Sequence, residues 1–160
     1  SHAYLADLLA TPGPMTKRKP GPTEQADIDL GWKAAKALAG FDIGQSVVAG
    51  QGAIVAVEAM EGTDACILRA MSLAPPRGAS SGGPNAVSWS LVVVKVAKPK
   101  QDFRYDIPVT GLGTLEVMAK AGATALAIEA GKTLIFDKEE LLKRADALKI
   151  AVVGLEEKSQ

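Results

Sequence analysis

Apolar runs separated by helical segments make up most of the chain. The strongest run, WSLVVVKVA at 89–97, is apolar on both faces, which predicts a central strand covered by helices. The runs SVVAG at 46–50 and AIVAVEA at 53–59 are separated by Gln51 and Gly52, which predicts a hairpin or two neighbouring strands. Three further strands are predicted in the second half: ATALAIEA at 123–130, TLIFD at 133–137 and KIAVVG at 149–154.

Helical segments are predicted between these strands. The clearest helix follows Thr23, a favourable N-cap residue, runs to about Ala39 and ends at Gly40. Its apolar side is formed by Ile28, Trp32, Ala35 and Leu38. The other predicted helices span 4–10, 61–72, 112–121 and 138–147. Because strands alternate with helices in the second half, we expect a single α/β domain with a mixed or mostly parallel sheet flanked by helices.

Two segments rich in proline and glycine predict the domain boundaries and a loop. TPGPMTKRKPGP at 11–22 has four prolines and two glycines, so residues 1–22 are predicted to be a linker helix followed by an irregular, exposed connector. The folded domain is expected at 23–155 and a polar tail at 156–160. APPRGASSGGPNAVS at 74–88 predicts a mobile loop. The connector also suggests that the chain is the C-terminal piece of a longer protein.

Composition excludes several classes of protein. Lys and Arg together number 18 and so do Asp and Glu, so the basic excess typical of nucleic-acid-binding domains is missing. A single cysteine, Cys66, excludes an intrachain disulfide and fits a reducing compartment, so we expect a cytoplasmic protein. Because His2 is the single histidine, we expect neither a histidine-based triad nor a histidine-based zinc site. The apolar runs are too short to span a bilayer.

The stretch KVAKPKQDFRYDIP at 95–108 carries the densest charge in the chain. If 102–106 is extended, Asp102, Arg104 and Asp106 point to one face, where two carboxylates suit Mg²⁺ and the guanidinium suits phosphate. Three lysines precede them: Lys95, Lys98 and Lys100. The alternative is a solvated edge strand with cross-strand ion pairs.

A second acidic set lies between an apolar strand and a helix. Glu58, Glu61 and Asp64 recur at intervals of three, and Gly62 and Thr63 fall where a helix N-terminus offers free backbone N–H groups to an anion. The alternative is simple capping, since acids are favoured in the first turn of any helix. Both charged sets follow apolar strands, and open α/β folds bind ligands at strand ends.

Four segments together resemble one known family. They are DIGQSVV, GAIVAVEAMEGTDACILRA, VVVKVAKPKQDFRYDIPVTGLGT and AIEAGKTLIFDKEEL, and they resemble the C-terminal domain of the LpxI family over roughly residues 4–155. This family comprises the UDP-2,3-diacylglucosamine pyrophosphatases of bacterial lipid A synthesis. The resemblance implies Mg²⁺-dependent hydrolysis of the substrate diphosphate, giving 2,3-diacylglucosamine 1-phosphate (lipid X) and UMP.

The resemblance also implies roles for individual residues. Asp102 and Asp106 are the expected catalytic acids, and they are expected to share Mg²⁺ with Glu61 and Asp64. The residues expected to bind substrate phosphates are Lys98, Lys100, Arg104, Thr63 and Gln101.

The partners follow from the same resemblance. Family members carry an additional N-terminal domain, and the acylated UDP-sugar lies between the two domains. A lipid substrate places the reaction at the inner face of the inner membrane, and Lys17, Arg18 and Lys19 are either a solvated linker or a contact with that surface. A homo-oligomer is left open. The rival hypotheses are a non-catalytic module that binds lipid X or a nucleotide diphosphate, and a structural domain whose charges pair with each other.

Overall fold

A six-stranded mixed β-sheet with helices on both faces forms the centre of the protein. The structure is a computed structural model that describes residues 2–74, 90–99 and 107–157. The helices are α1 (His2–Leu8), α2 (Pro22–Gly40), α3 (Thr63–Leu73), α4 (Leu112–Ala121) and α5 (Lys138–Leu148). The strands are β1 (Gly13–Pro14), β2 (Ser46–Gly50), β3 (Ala53–Val57), β4 (Leu91–Lys95), β5 (Val109–Thr110), β6 (Ala123–Glu129), β7 (Leu134–Ile135) and β8 (Ala151–Leu155).

The strand order across the main sheet is β1-β8-β6-β4-β2-β3. Strands β4, β6 and β8 are parallel, while β2, β3 and β1 join antiparallel at the two sides. A separate parallel pair is formed by β5 and β7. The α/β prediction with a mixed sheet is therefore confirmed.

Strand β4 lies inside the sheet and is buried on both faces, as its unbroken apolar run predicted. Val92 and Val94 pack with Ile28 and Ala35 of α2 on one face. Val93 packs on the other face with residues of α3, α4 and α5. Apolar side chains thus cover both faces of the sheet, so a buried polar side chain in it is an exception.

Helix α2 begins slightly earlier than its predicted cap. The N-cap residue is Gly21, whose backbone N–H donates to the Glu24 carboxylate at 3.1 Å. Proline is favoured in the first helical turn because its missing N–H has no helical partner there, and Pro22 occupies this turn. Thr23 is therefore inside the helix, and the capping prediction for it was wrong.

Part of the predicted exposed connector pairs with the sheet. Gly13 and Pro14 form β1 against β8, in register with Gly154 and Val153. Thr16 is buried, and its hydroxyl accepts a hydrogen bond from the Val152 backbone N–H at 3.0 Å. The description of this segment as an irregular, exposed connector was wrong in this part, because β8 offers an edge whose backbone groups need partners.

The remaining predictions have mixed outcomes. The hairpin of β2 and β3, the strands β6 and β8, and helices α3, α4 and α5 lie where the pattern placed them. The predicted strand at 133–137 has only two residues in β strand conformation, and β5 had no counterpart in the prediction. The loop predicted at 74–88 falls outside the described residues, apart from Ala74. Across the described ranges, none of the helices has the length and apolarity to cross a bilayer.

Candidate functional site

Polar side chains gather at the carboxyl end of β4, where helices α3 and α4 both begin. Lys95, the last residue of β4, pairs with Ser46 of β2 and with Ile128 of β6. Glu58 follows β3, and Thr63 opens α3. These residues come from distant parts of the chain and are brought together by the sheet.

Lys95 is a buried cation within this group. Only 9% of the residue is exposed, and its Nζ donates to the carbonyl oxygen of Val109 in β5 at 2.8 Å. Burial lowers the pKa of Lys95, and the negative charges of Glu58 and Asp64 oppose this shift. No carboxylate among the described residues forms a contact ion pair with it. Within the described part of the chain, the ammonium is therefore held by one carbonyl and by charges at a distance.

Glu58 joins β2 to the start of α3. The residue is 7% exposed, and its Oε1 accepts a hydrogen bond from the Gln45 backbone N–H at 2.9 Å. Its Oε2 lies 3.4 Å from the Thr63 hydroxyl, which also bonds the Ser46 hydroxyl at 2.8 Å. The carboxylate is thus fixed on two sides in a polar pocket.

Glycine is required where the chain enters this group. A Cβ atom on Gly44 would lie 2.1 Å from the backbone carbonyl oxygen of Glu58. Because that neighbour is backbone, it has little freedom to move aside. Gly44 therefore allows the close approach that places Gln45 beside Glu58.

The first turns of α3 and α4 are linked by a direct hydrogen bond. The Thr114 hydroxyl in α4 donates to Asp64 Oδ1 in α3 at 2.8 Å. Gly62, the N-cap of α3, has a φ of 90°, a backbone conformation that favours glycine. The two helix starts are consequently held side by side next to Lys95.

Glu61, which precedes the N-cap of α3, is bound by two other partners. Its Oε2 accepts from the Ala59 backbone N–H at 2.8 Å, and its Oε1 pairs with Arg69. The Ala59 hydrogen bond is the main reason that the pKa of Glu61 is lowered. Glu61 and Asp64 thus have separate partners rather than a shared one.

The described carboxylates do not by themselves fit a magnesium ion. No group of three or more His, Cys, Asp or Glu side chains that could hold a metal occurs in residues 2–74, 90–99 and 107–157. A magnesium site with Glu61 and Asp64 would need further oxygen ligands. The predicted ligands Asp102 and Asp106 lie outside the described residues, and so their convergence with this site stays a prediction.

Some of the other predicted site residues lie outside the described residues, and others lie within them. Lys100, Gln101 and Arg104 also lie outside the described residues. Thr63 lies within the polar group beside Glu58. Lys98 lies just beyond β4 and forms an ion pair with Asp42 at 2.9 Å.

Sequence reasoning assigned no role to several buried polar residues at this end of the sheet. Lys95 was detectable, because it is the charged residue within an apolar run. Glu129, at the end of β6, gives the same signal: it is 2% exposed and accepts from Ala97 N at 2.9 Å and from Lys36 Nζ at 2.6 Å. The Thr110 hydroxyl is buried without a partner among the described residues, and nothing in its local sequence marks it.

Cys66 takes no part in this group. The residue is fully buried in α3, and burial raises the pKa of its thiol. A raised pKa disfavours the reactive thiolate. Cys66 is therefore an inert core residue.

The fold and the polar group define an α/β domain with a candidate ligand site at its strand ends. The family model of the LpxI C-terminal domain matches residues 11–153, so the chain belongs to the LpxI family, as its motifs indicated. A curated relative, the UDP-2,3-diacylglucosamine pyrophosphatase LpxI of Caulobacter vibrioides, is 33% identical over 156 residues. The match covers 98% of this chain and 54% of the relative, so the chain spans about half the length of that protein.

Proposed function

We propose that this domain is part of an enzyme that hydrolyses the diphosphate bond of UDP-2,3-diacylglucosamine to lipid X and UMP in lipid A biosynthesis. The observation that carries the proposal is the match to the Caulobacter pyrophosphatase over 98% of this chain. The polar group at the end of β4 supports it, because strand ends are where α/β folds place ligands.

The reaction needs a water oxygen to bond to one phosphorus while the bridging oxygen leaves with the other phosphate. Asp102 and Asp106 are proposed to orient this water. Lys98, Lys100 and Arg104 are proposed to neutralise the phosphate oxygens on which negative charge develops. Thr63 and Gln101 are proposed as hydrogen-bond donors to the same oxygens. Each role follows from the family resemblance and the chemistry of these side chains.

Mg²⁺ is proposed as the cofactor on chemical grounds. When bound, Mg²⁺ supplies positive charge to phosphate oxygens, and it prefers a few carboxylates plus phosphates as ligands. The hydrogen bond from the Thr114 hydroxyl to Oδ1 fixes the orientation of the Asp64 carboxylate at the start of α3. The carboxylates of Glu61, Asp102 and Asp106 complete the proposed ligand set.

The site of action is proposed to be the cytoplasmic face of the inner membrane, where an acylated UDP-sugar is accessible from the cytoplasm. The rest of the protein is proposed to supply an N-terminal domain that encloses the substrate. The relative is about twice as long as this chain, which leaves room for such a domain.

The decisive experiment measures release of UMP from UDP-2,3-diacylglucosamine. The domain and the longer parent protein that we expect to carry it are each assayed with Mg²⁺ and with the chelator EDTA. Hydrolysis by the parent that requires Mg²⁺ is the expected result. If the parent binds lipid X in calorimetry but releases no UMP, the domain belongs to a binding module instead.

A further inference from the structure

Among the described residues, no carboxylate lies in direct contact with the buried Lys95 ammonium, and this requires an explanation. Removing a lysine side chain from water costs free energy, which a contact ion pair usually offsets. Lys95 is 9% exposed, and its one hydrogen bond within the described part of the chain goes to the Val109 carbonyl. A methionine of similar length would fill this space without that cost.

The hydrogen bond of Lys95 joins two elements that are otherwise in different sheets. Lys95 ends β4 in the main sheet, while Val109 begins β5, which pairs with β7 in a separate sheet. Residue 110 leads directly into the start of α4, where Thr114 holds Asp64. The Lys95 ammonium therefore lies at the junction of β4, β5 and the two helix starts.

The charges around Lys95 come from two further elements. Glu58 stands at the end of β3 and Asp64 in the first turn of α3, and both attract the ammonium. Each acid is hydrogen-bonded elsewhere, to Gln45 and to Thr114 respectively. The Lys95 ammonium is therefore attracted by two acids whose positions are fixed by their own hydrogen bonds.

We propose that Lys95 is a positioning residue of the hydrolytic site: its ammonium ties the start of β5 to the end of β4 and balances Glu58 after β3 and Asp64 in the first turn of α3. This inference rests on the proposed function, and it assigns to that site a residue to which neither the motifs nor the comparisons give a role. The positive charge of the side chain, and not its volume, carries this role.

Chemical rescue separates the charge from the volume. In Lys95→Ala of the parent protein, we expect kcat to fall at least about 100-fold while KM changes much less, because positioning acts on the reacting geometry. Propylammonium replaces the three missing carbons and the ammonium, and we expect it to restore kcat at least tenfold with saturation. Propan-1-ol fills the same volume without charge and should restore nothing.

The matched control is Lys138→Met, which removes another lysine hydrogen bond to a backbone carbonyl, that of Leu9 at 2.7 Å. Its kcat should stay within threefold of the wild type. The proposal is overturned if Lys95→Ala is equally active, or if propan-1-ol restores kcat as well as propylammonium does.

A second measurement uses the wild-type protein, in case Lys95→Ala does not fold. The methylene-bridged analogue of UDP-glucosamine is added, and NMR follows the Lys95 ammonium and the Thr110 amide, whose peptide group includes the Val109 carbonyl. We expect both signals to shift together on binding. If the analogue leaves both signals unchanged, the positioning role is overturned. If both shift but the wild-type parent hydrolyses no substrate, the proposed reaction fails and the role of Lys95 in a ligand site stands.

Discussion

Three charged residues at the ends of strands in the main sheet are buried, and each has a hydrogen-bond partner. Lys95 donates to a backbone carbonyl, while Glu58 and Glu129 each accept a backbone N–H. Lys95 belongs to the sheet face that carries α3, and Glu129 contacts Lys36 of α2 on the opposite face. Burying a charge without a hydrogen-bond partner costs free energy. Each of these residues therefore fixes the position of the backbone group to which it is hydrogen-bonded. The end of β4 is therefore held by polar contacts on both faces of the sheet.

We expect Asp102→Asn to lower kcat/KM of the parent enzyme at least about 1,000-fold, or about 4 kcal/mol at 1.4 kcal/mol per tenfold. The physical reason is the loss of a carboxylate that orients water or binds the metal. UMP release measures the rate, and circular dichroism checks the fold. Asp29→Asn, at an exposed position on α2, is the matched control. A rate near that of the wild type would move the catalytic assignment to Asp106 or to the acids near α3.

We expect Gly44→Ala to reduce the free energy of unfolding by at least about 2 kcal/mol, as overpacking against backbone typically does. The added Cβ would lie 2.1 Å from the Glu58 carbonyl oxygen. Urea denaturation measures the change. Gly40→Ala is the control, because nothing lies within 4 Å of its Cβ position. Equal midpoints for the two variants would contradict the close packing of Gly44.

At the scale of elements, Glu24 connects three parts of the fold. Its carboxylate accepts from Arg18, which follows β1, from the Gly21 backbone at the start of α2, and from Thr124 of β6. Arg18 also donates to the Thr124 carbonyl at 3.0 Å. The N-terminal segment is thus attached to the sheet by a polar cluster as well as by strand pairing.

This cluster predicts an acid-sensitive contribution to stability. Burial raises the pKa of Glu24, but hydrogen bonds from Arg18, Thr124 and Gly21 outweigh it, so the pKa lies below the ordinary 4.5. A depressed carboxyl pKa stabilises the fold above the unfolded-state value, and this contribution is lost as pH falls through the folded-state value. We expect the stability difference between wild type and Glu24→Gln to be largest near pH 6 and to shrink below about pH 4.5.

Urea denaturation at a series of pH values measures this difference. Glu139→Gln is the control, since Glu139 also lies in a first helical turn but has an exposed side chain, 87% accessible. Its stability difference from the wild type should be small at every pH. A difference for Glu24→Gln that stays constant from pH 6 to pH 3 would contradict the role of the ionised carboxylate.

At the scale of the whole molecule, the candidate site is built from one end of the sheet. Residues of β2, β4 and β5 and Glu58 after β3 meet there with the starts of α3 and α4, so the site forms only when elements from distant parts of the chain come together. The chain nevertheless spans only 54% of its curated relative. The substrate that we propose has two acyl chains and a nucleotide, and one small domain has little surface to hold so many groups.

We expect the isolated domain to hydrolyse UDP-2,3-diacylglucosamine far more slowly than the parent protein. Much of the rate depends on holding the diphosphate in line with the attacking water, and binding energy from remote groups contributes to that alignment. Comparison of kcat/KM for the two proteins tests this, and addition of the N-terminal domain in trans should restore part of the rate. If the two values are equal, the site is complete within these 160 residues.

Much of the fold could be predicted because an apolar run in the sequence indicates a strand that is buried in the sheet. Residues 91–94 around Val93 are apolar at every position, and so they predict a central strand without any knowledge of its neighbours. The two-residue strands β1 and β5 carry no such signal, since they exist only through their partners β8 and β7. The same holds for the site: Lys95 is unusual in its strand, but its bond to Val109 depends on tertiary contacts that no local pattern contains.

The pairing of β1 with β8 has a consequence for how the chain acquires its structure during synthesis. Gly13 and Gly154 are register partners, although 141 positions separate them along the chain (154 minus 13). Closing so long a loop is slow compared with forming the hairpin of β2 and β3, whose register partners Gly50 and Ala53 are three positions apart. On the ribosome, residues 13–16 emerge early but have no strand to join until β8 has been translated. The first strand of the domain is therefore among the last to dock.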